Sequence, residues 1–302
     1  MASLKDVRDR ISSVKNVQKI TRAMEMVAAA RLRKAEQRIE DLRPYADAIR
    51  RMTRRAAEGA ERIPDMPILQ ERENVSAVGL LLVTGDRGLA GPFNSQIIRA
   101  GSKRESEIEE EGADVVWYAS GRRGVSSLQF RNYEVEGGYT GFTDRPAYAD
   151  ARKIGDDLTS AYVDEKVDRV EIIYNGYISP MRQEVRHETL LPLQQADVLG
   201  DEEDEEEEDD ISEAHQRALW IYEPDAEELL ARLVHDYVEI SIYRALLEST
   251  ASEHGARMTS MRNASDNANE LIDDLTLEAN RQRQAEITQE IMEVVAGAEA
   301  LS

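Results

Sequence analysis

Cysteine is absent from all 302 residues, which excludes disulfides, thiol catalysis and cysteine-ligated zinc or iron–sulfur centres. Aromatic residues are scarce, 5% of the chain against 32% charged, a balance that suits helices standing in water. Basic charge is also short: 38 Lys and Arg face 60 Asp and Glu, a net charge of −22. Nucleic acid is excluded as a general partner, because its phosphates need Lys and Arg to displace their counterions. No long apolar run exists either. The longest aliphatic stretch, residues 78–83 with Gly79 inside it, falls well short of the roughly 20 residues a membrane span needs. The opening MASLKDVRDR lacks an apolar core and already carries acids, unlike a signal or transit peptide. These features describe a soluble, intracellular protein.

Glycine and proline are scarce at the two ends, where Gly255 and Gly297 are the only glycines after Gly200. No Gly precedes Gly59, Pro44 is the only Pro before that point, and no Pro follows Pro224. Because these residues punctuate turns, the chain reads as a long helix, a compact middle and a second long helix. The first helix, residues 3–59, has an apolar seam of Leu4, Val7, Ile11 and Val14. Val17, Ile20, Met24, Val27 and Ala28 continue it, and Leu32, Ala35, Ile39 and Leu42 complete it. A narrow stripe flanked by charge is the pattern of a coiled coil, and Pro44 predicts a kink. The last helix runs from Pro224-Asp225 to about Leu301, on the order of 110 Å at ~1.5 Å per residue. A helix of that length has to pair. Residues 1–62 hold 16 basic and 9 acidic side chains, and residues 212–302 hold 7 and 18, so the first helix is the electrostatically matched partner.

The middle alternates strand and helix signals. Strands are expected at 75–84, 115–120, 169–174, 184–191 and 220–223, with helices at 92–111 and 145–162. That pattern gives an α/β domain with a mixed sheet. The ten consecutive acids of DEEDEEEEDD, residues 201–210, form a solvated loop. Three segments follow: an N-terminal coiled-coil helix (1–62), a central α/β domain (63–223) containing the acidic loop, and a C-terminal coiled-coil helix (224–302).

Candidate chemistry is thin. T-G-D-R-G-L-A-G, residues 84–91, stands between a strand and a helix, where phosphate-binding loops occur. Its spacing is G-x-x-G-x-x-G, no Gly-Lys-Ser/Thr follows, and Asp86 would repel a phosphate, so a structural turn is the preferred reading. His187, His215, His235 and His254 are scattered and predict no metal site. No catalytic, cofactor-binding or metal-binding residues are assigned. The ends carry the more specific signals. N-V-Q-K-I-T-R-A-M-E-M-V-A-A-A-R-L-R-K-A, residues 16–35, sets three alanines between Lys19, Arg22, Arg31, Arg33 and Lys34. Residues 287–300 supply Ile287, Ile291, Val294 and Val295, an apolar stripe that needs a partner.

K-I-T-R-A-M-E-M-V-A-A-A-R-L-R-K (19–34), D-R-G-L-A-G-P-F-N (86–94), A-S-D-N-A (264–268) and I-T-Q-E…G-A (287–298) together resemble the γ subunits of F-type ATP synthases, and the resemblance spans the whole chain. It implies an antiparallel coiled coil of the terminal helices with a Rossmann-like α/β domain inserted between them. It also implies a rotor in the central stalk, coupling proton flow through the c-ring to conformational change at the catalytic β subunits without catalysis of its own. The implied partners are the α3β3 ring, the ε subunit and the c-ring, with the protein peripheral to the cytoplasmic face of a bacterial membrane. By the same resemblance Met24, Arg257, Thr288, Gln289 and Glu290 match positions facing the β subunits. Ala90 and Pro92 depart from the family's usual Cys and Gly, and the 201–210 tract lacks the cysteines of the chloroplast thiol switch. Two readings from other classes stand beside this one: a nucleotide-binding protein using Gly85, Gly88 and Gly91, and a free-standing coiled-coil adaptor.

Overall fold

The computed structural model describes residues 4–59, 67–70, 72, 74–193 and 226–300. The acidic tract 201–210 and the expected strand 220–223 lie outside the described residues. The chain divides into two compact units, Met1–Ala30 with Arg257–Ser302, and Arg31–Ala256. Helix α1 (Leu4–Gly59) contains Pro44 without interruption, and α5 (Ala226–Ala300) is a single helix of 75 residues. The expected segment boundaries at 62/63 and 223/224 lie outside the described residues, and the two units divide within the two long helices.

In the first unit the two helices pair antiparallel. Gln18 hydrogen-bonds Asn269, Thr21 meets Ser265 at 2.7 Å, and the Arg262 guanidinium donates to Glu25 at 2.9 Å. The partner number falls as the α1 number rises. On α5, Met261, Ser265, Ala268 and Leu275 are buried, at spacings of four, three and seven that follow a heptad seam. The facing seam on α1 is Leu4, Val7, Ile11, Val14, Gln18, Thr21, Glu25 and Ala28, all buried or half-buried. This corrects the expected stripe at three positions: Val17, Ile20 and Val27 point outward, Ile20 with 59% of its surface exposed, while Ala28, Leu32 and Ala35 are buried as expected. The heptad holds its phase through Gln18, Thr21 and Glu25 because each finds a polar partner across the seam, while hydrophobicity alone follows the wrong face.

The second unit is built on a five-stranded sheet of order β3-β2-β1-β4-β5. Its strands are β1 (Ala77–Val83), β2 (Asp114–Ser120), β3 (Val135–Tyr139), β4 (Arg169–Ser179) and β5 (Arg182–Leu191). The first four run parallel and β5 closes an antiparallel hairpin with β4, giving the mixed sheet expected. Three helices lie between strands: α2 (Phe93–Glu110), α3 (Arg122–Phe130) and α4 (Tyr148–Val163). Alternation along β1 sends Leu81 and Val83 to one face, where they pack with Ile154 and Leu158 of α4 and Val234, Val238 and Leu246 of α5. Leu80 and Leu82 go to the other face, with Phe93 and Ile97 of α2 and Leu128 of α3. Both faces are covered, so β1 reads as a nearly continuous apolar run.

Helix α3 and strand β3 run against their local sequence signals. In α3, R-R-G-V-S-S-L-Q-F holds a glycine and two serines, poor helix formers. In β3, V-E-G-G-Y carries adjacent glycines that weaken any strand signal. Tertiary packing sets both.

One ionic cluster crosses the sheet. The Glu171 carboxylate on β4 accepts from Arg104 of α2 at 2.8 and 2.9 Å, and lies 2.8 Å from Arg169 and 2.6 Å from His187 of β5. Arg104 also reaches Glu107 and Glu111. The cluster ties α2 to β4.

Candidate functional site

The carboxyl end of β1 is the place where an open α/β sheet normally receives a ligand. Here its donors are already used within the chain. Asp86 accepts the backbone N–H of Arg122 at 3.0 Å through one oxygen. Through the other it accepts Gly141 N–H at 2.9 Å, Thr143 N–H at 3.2 Å and the Thr143 hydroxyl at 3.0 Å. The next two amides at the start of α3 are spent as well: Arg123 N–H on Gly85 O at 3.1 Å, and Gly124 N–H on Thr84 Oγ1 at 2.8 Å. Unsatisfied amides are what a helix N-terminus offers a phosphate. Three successive amides of α3 bind the chain's own oxygens instead.

Asn94 closes the loop from the other side, accepting Gly85 N–H at 2.8 Å and donating to Arg87 O at 3.3 Å. Gly85 admits the close approach of Glu253, whose carboxylate would lie 2.7 Å from any side chain added there. The cavity lined by Val83, Thr84, Thr143, Ser249, Thr250 and Glu253 measures about 10 Å³, room for one water molecule at most. The D-R-G-L-A-G-P-F-N motif is thus a self-closed knot in which Asp86 occupies the anion's position.

Burial opposes the charge on Asp86, but hydrogen bonds from Gly141, Arg122 and Thr143 outweigh it and hold its pKa below the ordinary 3.8. A lowered carboxylate pKa contributes stability above pH 3.8 that is lost as the pH falls through the folded-state value. Asp86→Ala orphans three amides and a hydroxyl in a half-buried site. We expect a loss of about 2 kcal/mol in urea unfolding at pH 7, with variant and parent converging in acid.

The other candidate surface lies in the helical unit. Val17, Ile20, Met26 and Val27 are exposed on α1, as are Ile287, Ile291, Met292, Val294 and Val295 on α5. Met24 is half-buried between these α1 residues and the seam, and Lys19 and Arg22 are exposed beside it. Arg31, just past the unit boundary, is paired with Asp144 at 2.7 Å and so leaves the expected basic cluster. Thr288, Gln289 and Glu290 are exposed. Thr288 donates to Gln284 O at 2.8 Å and Gln289 to Glu293 at 2.9 Å, both within the helix. Arg257 is buried, with 7% of its surface exposed. The fold does not gather these five residues into one site. The Glu25–Arg262 pair sets Met24 level with residue 262 or 263, and Thr288 stands about 25 residues, or ~37 Å, farther along α5. They form two separate zones. Among the described residues no helix is long and apolar enough to cross a membrane.

A family model described as ATP synthase matches residues 3–301. The ATP synthase gamma chain of Rubrobacter xylanophilus is 44% identical over 302 residues, covering 100% of this chain and 99% of the relative. The ATP synthase gamma chain of Saccharopolyspora erythraea is 39% identical, covering 100% and 98%. Among solved structures, a chain from the Euglena gracilis mitochondrial ATP synthase rotor superposes with a TM-score of 0.65 at 18% identity, covering 94% of this chain and 98% of that one. A second Euglena gracilis structure, of the OSCP, F1 and c-ring assembly, gives a TM-score of 0.68 at 16% identity, with 99% and 94% covered.

Proposed function

The chain belongs to the ATP synthase γ-chain family, and from that membership we propose that its two exposed apolar zones meet the catalytic β subunits of an α3β3 ring while its α/β unit serves the c-ring and ε side. It is a non-catalytic central-stalk subunit. In this reading residues 1–62 and 224–302 supply the shaft and 63–223 the foot, peripheral to the cytoplasmic face of a bacterial membrane.

The observation that carries the proposal is the outward stripe Val17, Ile20, Met26 and Val27, apolar surface that the two-helix seam leaves uncovered. A shaft with unlike faces touches three chemically identical subunits unequally. Only such unequal interaction shifts an equilibrium between nucleotide-site conformations, since equal affinity for every state shifts nothing. The contacts have to be weak enough to release, and methionine and aliphatic groups provide deformable surface without fixed hydrogen bonds. Thr288, Gln289 and Glu290 form the second contact zone in this proposal. Arg257, being buried, has the least surface to offer and the least support. The nucleotide-binding reading gains nothing at a strand end where the Gly85 and Asp86 amides and the first three amides of α3 are already bonded.

Met24→Lys tests the proposal. A cation there would find β-subunit carboxylates in a partly desolvated gap, and a charge-assisted bond is worth about 1.5–3 kcal/mol. That slows passage between orientations by ~10-fold or more. In the assembled complex we expect ATP-driven proton pumping to fall further than ATP hydrolysis, with assembly intact. Equal activities in variant and parent would remove this surface from the coupling contact.

A further inference from the structure

Scattered in sequence, His235 is not alone in the fold. Its Nε2 lies 3.3 Å from Asp156 Oδ1 on α4 and 3.8 Å from Glu239 Oε1 one turn along α5. The three ligand atoms all lie within 4.8 Å of one another. In a tetrahedral site with bonds of roughly 2.0–2.1 Å, ligand atoms stand about 3.4 Å apart, so small rotamer adjustments bring this triangle around one ion.

We propose that Asp156, His235 and Glu239 bind a divalent transition-metal ion of the zinc class, clamping α4 to the early turns of α5. The donor set is one imidazole nitrogen and two carboxylate oxygens, which suits zinc better than magnesium or calcium, whose sites are built from oxygen. A fourth position stays open to water, because Asp156 is exposed and His235 partly so. Glu239 is the preorganised ligand: its side chain is only 4% exposed, so packing fixes the position of its carboxylate. Arg152 stands 3.6 Å from Glu239 with a side chain 66% exposed. It is the only cation paired to the triad among the described residues, and it is free to swing into water when a dication arrives. Two carboxylates against one mobile guanidinium leave the cluster anionic, the state a dication neutralises. Helical geometry makes the pair: residues four apart share a face, and His235 and Glu239 do so directly opposite Asp156.

The test is calorimetric titration of the chelator-stripped full chain with zinc chloride, on the parent and on His235→Ala and Asp156→Asn. We expect one high-affinity ion per chain, undisturbed by excess magnesium and weakened about tenfold or more in each variant. Zinc at about 100 times its Kd should raise Tm by about 5 °C in the parent alone. Cobalt substituted for zinc should give four-coordinate d–d absorption that His235→Ala abolishes. Asp156 is exposed, so Asp156→Asn keeps the metal-free Tm and reads the site even if the histidine variant folds poorly. Equal zinc affinity in parent and variants would assign the binding to the 201–210 tract or the other histidines and overturn the proposal. The absence of saturable binding would overturn it too.

Discussion

Gly121→Ala is expected to destabilise the protein by about 4 kcal/mol, the sum of a strained backbone and an overpacked contact. Gly121 leads into α3 with φ of 93°, and an added Cβ would fall 2.1 Å from the Thr84 carbonyl oxygen and 2.7 Å from its hydroxyl. No rotamer relieves a clash with backbone. Moving α3 away would break Gly124 N–H to Thr84 Oγ1 and Gly121 N–H to Tyr139 O, which opens the knot around Asp86. Urea unfolding should show a large fall in midpoint with an unchanged slope. A midpoint shift under about 1 kcal/mol equivalent would mean that the β1–α3 junction yields more easily than its hydrogen bonds imply.

Glu171→Gln is the second large effect, on the order of 3 kcal/mol at pH 7. Burial opposes ionisation of Glu171, but Arg104 and His187 outweigh it and bring its pKa from 4.5 to about 2. Its side chain is 2% exposed, so solvent screens little of this. Glutamine keeps the volume and removes the charge, which separates electrostatics from packing. The loss stops short of the upper range for a broken buried pair because Arg104 retains Glu107 and Glu111. The sign follows from the depressed pKa: the contribution is complete above pH 4.5 and disappears as the pH falls toward 2. The stability gap between parent and variant should therefore narrow below pH 4.5. A gap constant with pH would assign the effect to shape.

The long helices were legible because scarcity is a strong signal: a first end with one proline and no glycine before Gly59, and a last end with two glycines and no proline after Pro224, have few alternatives. Four of five strands were legible from apolar runs. The phase of the α1 seam was not, because Gln18, Thr21 and Glu25 occupy core positions that only Asn269, Ser265 and Arg262 make tolerable. Nor were α3 and β3, whose glycines serve close packing at the expense of local propensity. The motif around Asp86 was legible as a turn, but its reason was hidden, since the amides it satisfies come from residues 36 to 57 positions away. The Asp156–His235–Glu239 cluster joins two helices about 80 residues apart, beyond any spacing rule. Of the five residues carried over by resemblance, four have exposed or half-exposed surface and Arg257 does not.

From Arg283 to Ala296 every residue of α5 is exposed. Among the described residues no facing seam covers this stretch, so its order propagates from the buried turn at Leu275, and an unsupported helix of such length is marginal in water. Ile287, Ile291, Val294 and Val295 lower it further, since branching at Cβ restricts rotamers in a helix. The consequence is entropic. Whatever encloses this tip also bears the cost of fixing each residue not already helical, about 1–2 kcal/mol of backbone freedom apiece. Net affinity is then smaller than the apolar area suggests. Contact energy offset in this way makes for a loose grip, one that releases as readily as it forms.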